Sequence, residues 1–573
     1  MEIKNIFRVS FILYFSRLAL FLQKNIIIVM RNILRIISLI AIALLAGNAQ
    51  ARTVEIKMSQ CPKPYVDNLR KMTASLRGSD ELILNFDKPG KYEFDGSIKF
   101  RCNTVIKGIS PEATKVIVRE GFASGKSKMQ DDVFFAIHGS TTKKVKAEIR
   151  DISFELASHK GILWENAAKH IVKIWHGDGI IVDNIVSKTR DAANTNLDLR
   201  ECDNVLVSNC EFENYNNCSN SGCLWSRGGQ KNIIVRNNIF RKYGNDEALA
   251  FWGGLSNTNQ KTEMKNIVVE GNEFYYGNKT KTKADLKIDV LICFYHFRED
   301  IYNMKNRCDV DSIVFKNNSL TIDGVMSRDI AFFFDELATV GHIEVLDNKI
   351  TNTRKTSIAS DYLNDITINA HGNIDYPIVV KGNTVINQGE ILCDGKKSGY
   401  TFLSLKNADV IVANNNVDSN YGMNLLWCHE GNINIAMISN KANGLEKIAT
   451  LSSNKSIDNI SINALDNIFT GDTFISCRNV KNMDLIFKNN VFNSSGYHLF
   501  LQEAADQTSI HFEGNTINSM SGNGVLYANY SKKNFKFVDV SIEGNTFVGL
   551  KKKDLSREFS NAKKVQVRSN NYR

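Results

Sequence analysis

The sequence predicts an all-β fold, a right-handed parallel β-helix (a solenoid) with an N-terminal capping helix, and three observations predict it. A unit of a β-branched strand, an Asn-containing turn and a short apolar strand recurs along most of the 573 residues, as at 232–240 and 266–274. Late turns lie close together, because Asn467 and Asn490 are only 23 residues apart. No Pro/Gly-rich linker divides the chain, which has 5 prolines. A solenoid accounts for this length, because stacked coils bury a core that no coil buries alone.

Residues 1–51 are predicted to be a signal peptide. Arg31 and Arg35 precede a short apolar stretch, and Ala49-Gln50-Ala51 matches an A-x-A cleavage site. Met30 stands directly before this module, which leaves open a later start that would exclude residues 1–29. We therefore expect an exported protein in the periplasm, on the cell surface or secreted. Its mature part, residues 52–573, is expected to be a single β-helix domain without a membrane span.

An amphipathic helix is predicted over residues 65–76, with Val66, Leu69, Met72 and Leu76 on its apolar side. It is expected to cover the open edge of the first coil, which would otherwise expose unpaired strand groups. Strand pairing is expected to begin near residues 82–84.

The recurring Asn of the turns is expected to occupy the same place in every coil. Stacked Asn side chains can then share hydrogen bonds, and the Asn or Gly of the turn suits a left-handed backbone. A β-propeller is the competing repeat fold, but its blades need roughly 40 residues each. The expected ladder consists of Asn209, Asn238, Asn272, Asn318, Asn348, Asn383, Asn415, Asn440, Asn467, Asn490, Asn515, Asn545 and Asn570.

The predicted helix, the stretches Tyr92-Glu93-Phe94 and 105–108, and the Asn-x-Phe coils resemble the pectate lyase-like superfamily. The resemblance covers roughly residues 60–573. It implies the parallel β-helix, but it does not fix the reaction, because that superfamily holds lyases, hydrolases, epimerases and non-catalytic adhesins.

Charge and cysteine content give weaker indications. Without residues 1–51, the formal charge falls from +10 to +5, which permits an acidic substrate. The odd number of 11 cysteines implies at least one free thiol or external partner. Cys61 with Cys102 and Cys218 with Cys223 are the candidate disulfides, and no Cys-x-x-Cys pair indicates zinc. Cys202 and Cys210 are expected to fill the interior.

The third strand of each coil indicates where chemistry takes place. Side chains alternate between the two faces of a strand, so if Leu197, Leu224, Leu249 and Ile292 point inward, two outward columns follow. Arg binds carboxylates with two parallel hydrogen bonds, and aromatic rings can stack on sugars. The alternative is an outward face packed under loops, with Arg paired to Asp or Glu. The first column is Asp198, Trp225, Ala250 and Cys293, and the second is Arg200, Arg227, Trp252, Tyr295, Asp335, His429 and Arg478.

The turn at 244–247 resembles the Gly-Asp-Asp turn of polygalacturonases. Those enzymes need three Asp on neighbouring strands, whereas the preceding coil offers Asn216, Asn217 and Cys223, so the hydrolase set is incomplete. The carboxylates of Asp246 and Glu247 could instead bind Ca²⁺, which is then the expected cofactor. The alternative is an ordinary pair of turn carboxylates.

β-Elimination on a uronic acid needs a cation beside the carboxylate and a base for the C5 proton. Arg200 and Arg227 are the expected cations. Tyr295, His296 and Arg298, from the cluster at 295–300, are the expected source of the base. Substrate contacts are expected from Asp198, Trp225, Trp252 and His429.

The sequence therefore predicts a polysaccharide lyase acting on a uronic-acid-containing polymer. Residues 222–227 and 245–252 resemble exported β-helix lyases of gut-type bacteria, some of which cut glycosaminoglycans such as chondroitin sulfate and hyaluronan, and others pectin. One alternative is a glycoside hydrolase that uses Asp198 with Asp246 or Glu247. Another is a non-catalytic glycan-binding adhesin. The expected partner is an acidic polysaccharide and the expected state a monomer, and no motif supports nucleic-acid binding.

Overall fold

The computed structural model describes only part of the chain. Residues 54–573 form one compact unit. No helix among the described residues is long and apolar enough to cross a membrane. The described residues are 51–118, 133–156, 170–189, 195–215, 222–244, 247–253, 262–277, 290–295, 308–324, 326–334, 338–353, 355–360, 363–393, 398–405, 407–428, 432–496, 499–501, 507–521, 526–528, 537–552, 555, 559 and 562–573.

The chain is a parallel β-helix, as predicted. Successive coils contribute strands to three parallel sheets, so an inner strand of the described chain pairs with its counterparts one coil before and one coil after. In this arrangement the inward side chains of all three sheets form one continuous core.

The bounds of the strands follow the coil order. Five strands run through a corner and serve more than one sheet: Val145–Leu156, Gly177–Thr189, Asn416–Cys428, Lys441–Leu465 and Ile468–Lys488. Sheet 1 otherwise contains Thr53–Lys57, Gly78–Asn85, Cys102–Lys107, Asp203–Ser208, Gln230–Arg236, Thr262–Glu270, Cys308–Lys316, Ala338–Leu346, Asn373–Ile374, Ile378–Lys381, Asn407–Ala413, Asn432–Ile438, Gln507–Glu513, Phe537–Glu543 and Lys564–Arg568. Sheet 2 contains Gly90–Phe94, Thr114–Val118, Glu211–Asn214, Ile239–Lys242, Glu273–Tyr276, Ser319–Ile322, Lys349–Asn352, Thr384–Asn387, Val491–Ser494, Thr516–Ser519, Thr546–Val548 and Asn571–Tyr572. Sheet 3 contains Ile98–Phe100, Val133–His138, His170–Trp175, Thr195–Arg200, Gly222–Arg227, Leu249–Trp252, Val290–Tyr295, Arg328–Phe334, Leu363–Ala370, Ser398–Leu405, Leu499–Leu501 and Leu526–Ala528. A separate two-stranded parallel sheet joins Lys355–Ser360 and Glu390–Cys393.

The predicted helix is present over Tyr65–Thr73, three residues shorter than expected. Val66 and Leu69 are buried, but Met72 is 47% exposed and Thr73 is buried in its place. Positions 66, 69 and 73 form one stripe at helical spacing, and residue 72 falls beside it. Pairing also begins earlier than predicted, since Thr53–Lys57 already pairs with Gly78–Asn85. Whether the helix caps the first coil stays a prediction.

The Asn ladder lies at the corner between sheets 1 and 2. From Asn238 to Asn570, the side-chain amide of each Asn donates to the Oδ1 atom of the next, as in the bond of 3.0 Å from Asn238 to Asn272. The predicted first member, Asn209, is not in the ladder, because buried Cys210 occupies that place and its N–H donates to Asn238. Asn209 instead has a positive φ of 55°. The residue directly before most of the ladder Asn residues also has a positive φ. The left-handed residue is therefore the one before the ladder Asn.

The cysteine predictions had mixed outcomes. Cys202 and Cys210 are buried interior side chains, as expected. The predicted disulfide between Cys61 and Cys102 is wrong, because both are free thiols. The Sγ atom of Cys102 lies beside Thr104 at the start of an inward-facing strand and is committed to the core. Cys223 is also a free buried thiol, while Cys218 lies outside the described residues.

Candidate functional site

The outer face of sheet 3 carries the two predicted columns. Thr195–Arg200 pairs with Gly222–Arg227, which pairs with Leu249–Trp252, which pairs with Val290–Tyr295, and the residues align one to one. The four aliphatic side chains assigned to the interior are all buried in the core, as predicted. In coil order, one outward column is Lys173, Asp198, Trp225, Ala250, Cys293 and Ala331, and the other is His138, Trp175, Arg200, Arg227, Trp252, Tyr295 and Phe333.

The predicted place of Asp335 in the second column is wrong. Phe333 pairs with Tyr295, and the two rings stack with centroids 5.1 Å apart. The inward Phe332 fixes this alignment, because its ring stacks on that of Phe294 at 4.8 Å. Asp335 follows two residues later and lies outside the described residues.

A buried carboxylate organises the centre of this face. Asp198 is 0% exposed. The Nε and Nη2 atoms of Arg227 donate to its two oxygens at 3.0 and 2.9 Å, and the Nε atom of Arg200 donates to Oδ2 at 3.1 Å. The Nε2 atom of His170 lies 3.5 Å from the same oxygen. Both arginines therefore pair with Asp198 within the protein, the arrangement that the sequence left open as the alternative to an open binding column.

The charges of this cluster shift the pKa values of both of its titratable groups. Burial alone would raise the pKa of Asp198, but Arg227 and Arg200 outweigh burial and hold that pKa well below its usual range. Burial lowers the pKa of His170 to about 3; the charge of Asp198 opposes this shift, while Arg227, Lys173 and Arg200 add to it. At neutral pH, Asp198 is therefore ionised and the imidazole of His170 is neutral.

Tryptophan rings enclose the cations. The Cζ atom of Arg227 lies 4.6 Å from the ring centroid of Trp225 and 5.7 Å from that of Trp252. The two indoles stack with centroids 5.6 Å apart. Trp225 is only 2% exposed, so its ring packs within the site, whereas Trp252 is half-buried.

One coil earlier, Trp175 repeats the arrangement. The Nζ atom of Lys173 lies 4.9 Å from its ring centroid, and the Cζ atom of Arg200 lies 5.5 Å from it. Cation–π contacts of this kind hold the cations on the outer face without neutralising them.

The indole N–H groups of Trp175, Trp225 and Trp252 are buried and have no hydrogen-bond acceptor within the part of the chain that the structure describes. The Nδ1 atom of His170 is also buried and has no hydrogen-bond partner among the described residues. Because these ring nitrogens are shielded from solvent, the indoles present their ring faces, and not their N–H groups, to the cations.

Comparison with known proteins finds no matching family model and no matching curated protein. Solved structures do match. A family 28 exopolygalacturonase from Yersinia enterocolitica is 11% identical, with a TM-score of 0.42 over 76% of this chain and 78% of that one. A GH87 α-1,3-glucanase from Streptomyces thermodiastaticus is 14% identical, with a TM-score of 0.38 over 73% and 69%. A mannuronic-acid-specific polysaccharide family 6 lyase from human gut microbiota is 13% identical, with a TM-score of 0.31 over 76% and 87%. These similar structures are polysaccharide-degrading enzymes, and both hydrolases and a lyase occur among them.

Tyr295 lies farther along the same face. Two coils separate it from Arg227, with Trp252 between them. It packs in the apolar outer cluster that also contains Trp225, and its ring lies 6.3 Å from that of Trp252. The structure therefore does not bring this predicted base next to the predicted cations.

Several predicted residues cannot be placed. Asp246, His296, Arg298 and His429 lie outside the described residues. Glu247 is described and its side chain is buried. The described residues contain no group of three or more His, Cys, Asp or Glu side chains that could hold a metal ion. The Ca²⁺ site stays a prediction.

Sequence reasoning missed His170, Lys173 and Trp175, which lie one coil before the strands that were aligned. The signal was present, because the strand at 170–175 pairs with Thr195–Arg200 and places Trp175 beside Arg200. Extending the alignment by one coil would have found Lys173 and Trp175, but not His170, which pairs with Thr195 outside the two outward columns.

Replacing His170 with Gln should make the free energy of unfolding depend less steeply on pH below about 6.5. The pKa of His170 is about 3 in the folded protein and about 6.5 when unfolded. The unfolded chain therefore binds the extra proton, and stability falls as pH drops below about 6.5. One proton corresponds to a slope of about 1.4 kcal/mol per pH unit. Urea unfolding between pH 6 and 4.5 measures the slope, and parallel profiles for wild type and variant would contradict a buried neutral His170.

Proposed function

We propose that this protein is an exported enzyme that acts on a uronic-acid-containing polysaccharide and cleaves it by β-elimination. The observation that carries the proposal is the gathering of Arg200, Arg227 and Lys173 among three indole rings on the outer face of sheet 3, next to Asp198. A uronate carboxylate offers the negative charge that such cations attract. Preorganised donors and cations of this kind stabilise charge that develops during a reaction.

Each group has a role in the reaction. Arg200, Arg227 and Lys173 attract the uronate carboxylate and stabilise the negative charge that develops when C5 is deprotonated. A base takes the C5 proton, the C4–C5 double bond forms, and the C4–O bond breaks. The departing oxygen takes a proton and becomes the hydroxyl of the released chain. Asp198 keeps the two guanidinium groups aligned as a positioning residue.

His170 is favoured over Tyr295 as the base. It lies 3.5 Å from the carboxylate that both arginines hold, whereas Tyr295 is two coils away from Arg227. Its imidazole is neutral at neutral pH. The neutral form of an imidazole is the form that can accept a proton. A bound uronate would add negative charge beside it and raise its pKa.

A glycoside hydrolase is the second candidate, because similar enzymes use two carboxylates. The pair suggested by the sequence includes Asp198, which would have to act as an acid, base or nucleophile. Its full burial, its low pKa and its three hydrogen bonds from arginine all oppose these roles. A non-catalytic binder would bind the same polymers and release nothing.

The test is an activity screen on pectate, alginate, chondroitin sulfate and hyaluronan, each with and without a calcium chelator. A lyase produces the ultraviolet absorbance of an unsaturated uronate, while a hydrolase produces reducing ends without it. Loss of activity with the chelator would support a Ca²⁺ requirement. If no polymer gives the absorbance, the lyase proposal fails.

Conservative variants then identify the base. His170→Gln should lower kcat at least about 100-fold, the usual contribution of a general base, whereas Tyr295→Phe should stay within a few-fold of wild type. Tyr295→Phe removes only a hydroxyl and leaves the stacking on Phe333 intact. The reverse pattern would assign the proton transfer to Tyr295.

A further inference from the structure

The outer face of sheet 3 leads, at its N-terminal end, into a basic cavity of about 430 Å³. Arg77, Lys99, Arg101 and Lys143 line it, and none of the described residues that line it is acidic. A volume of this size falls in the range of small-ligand sites. The cavity lies outside the cluster around Asp198.

Two of these cations have no carboxylate partner among the described residues. Arg101 and Lys143 are both exposed, and no ion pair of either is present in the described structure. Gly78 makes room for Lys143, because a Cβ atom on Gly78 would lie 2.7 Å from the Cε and Nζ atoms of that lysine. The lysine side chain can therefore lie across the floor of the cavity.

The cavity and the Asp198 cluster lie on one line. His138 lines the cavity and also belongs to the outward column. Its ring lies 5.5 Å from that of Trp175, which in turn contacts Arg200. Three coils separate His138 from Arg227, or about 14 Å at roughly 4.8 Å per coil. An extended polymer lying along the sheet would span both sites, while a disaccharide would not.

We propose that this cavity is a second anion subsite, which binds a further carboxylate or sulfate of the same polysaccharide chain about three coils from Arg227. This inference rests on the proposed function and adds a substrate requirement to it. The preferred substrate is an oligomer long enough to carry negative charges at both positions. Short oligomers bind only one of the two.

The test measures binding, so it does not depend on turnover. The probes are hexamers and dimers of galacturonate, mannuronate and chondroitin sulfate, titrated calorimetrically into the mature protein. The wild-type protein should bind its preferred hexamer at least about tenfold more tightly than the dimer, because charge-assisted hydrogen bonds at a second site add to the first. The variant Arg101→Ala/Lys143→Ala should lose this advantage and keep its affinity for the dimer.

A matched control removes two cations from another face. Lys91 and Lys115 pair across neighbouring coils of sheet 2, and Lys91→Ala/Lys115→Ala changes the net charge equally. This control should bind like wild type. Equal weakening by both double variants would show a general charge effect and overturn the subsite.

The outcomes separate this inference from the proposed function. If Arg227→Ala weakens hexamer binding while Arg101→Ala/Lys143→Ala does not, the cavity is not a subsite and the Asp198 cluster stands. If no hexamer binds the wild-type protein, both are overturned. Circular dichroism checks that each variant is folded.

Discussion

Replacing Arg227 with Met is expected to lower the free energy of unfolding by about 3 kcal/mol and to abolish turnover. The substitution removes two of the three arginine hydrogen bonds to Asp198 and leaves that carboxylate fully buried. Removing one partner of a buried ion pair typically costs about 3 to 5 kcal/mol, because the remaining charge is uncompensated. Urea unfolding measures the loss of stability, and the polysaccharide screen measures the loss of activity.

The control is Arg568→Met on sheet 1. The Nε atom of Arg568 lies 3.0 Å from a carboxylate oxygen of Glu543, and both side chains are exposed. Exposed pairs contribute about 0 to 1 kcal/mol, so this variant should remain close to wild type. The double variant Asp198→Asn/Arg227→Met should recover part of the lost stability, since no unpaired carboxylate remains. If Arg227→Met and the control variant lost equal stability, Asp198 would not be the buried centre of the cluster.

Replacing Asn383 with Ala should destabilise the protein by about 3 kcal/mol, because buried groups left without a partner cost about 1 to 3 kcal/mol each. The Asn383 amide donates to the carbonyl of Val345 at 2.9 Å and to Asn415 at 3.1 Å. Its oxygen accepts from the backbone and side chain of Asn348 at 3.0 and 2.9 Å. Calorimetric melting and urea unfolding both measure the loss.

An exposed ladder provides the matched control. Asn459 donates to Asn432 and accepts from Asn482, both at 2.8 Å, on the outer surface of sheet 1. Water can replace these partners, so Asn459→Ala should cost less than about 1 kcal/mol. If both Asn variants lose equal stability, burial is not what makes the inner ladder important.

Those features of the fold that repeat locally could be predicted from the sequence. Alternation along each strand was enough to place Leu197, Leu224 and Leu249 inside, and so to align Arg200 with Arg227. The same reasoning misplaced Asp335, because the strand was aligned by its end and not by the inward Phe332. It also proposed a disulfide between Cys61 and Cys102, since the sequence does not show how far apart two cysteines lie in the same core.

The candidate site could be predicted only in part. The sequence identified Asp198 and both arginines as outward neighbours, but not that the carboxylate is fully buried beneath them. Burial depends on what packs over a strand, and strand alternation carries no information about that. His170 was missed for a similar reason, since its approach to Asp198 joins two coils that are 28 residues apart in the chain.

The inner Asn ladder gives the molecule a direction. From Asn238 to Asn570, each side-chain amide donates toward the C-terminal end and each oxygen accepts from the N-terminal side. At this corner, every junction between coils from Asn238 to Asn570 therefore carries the same hydrogen bond. If a whole coil within this range were duplicated or deleted, the ladder donors and acceptors at the two cut ends would still match. The length of the outer face of sheet 3 could thus change by whole coils without rebuilding the cationic centre.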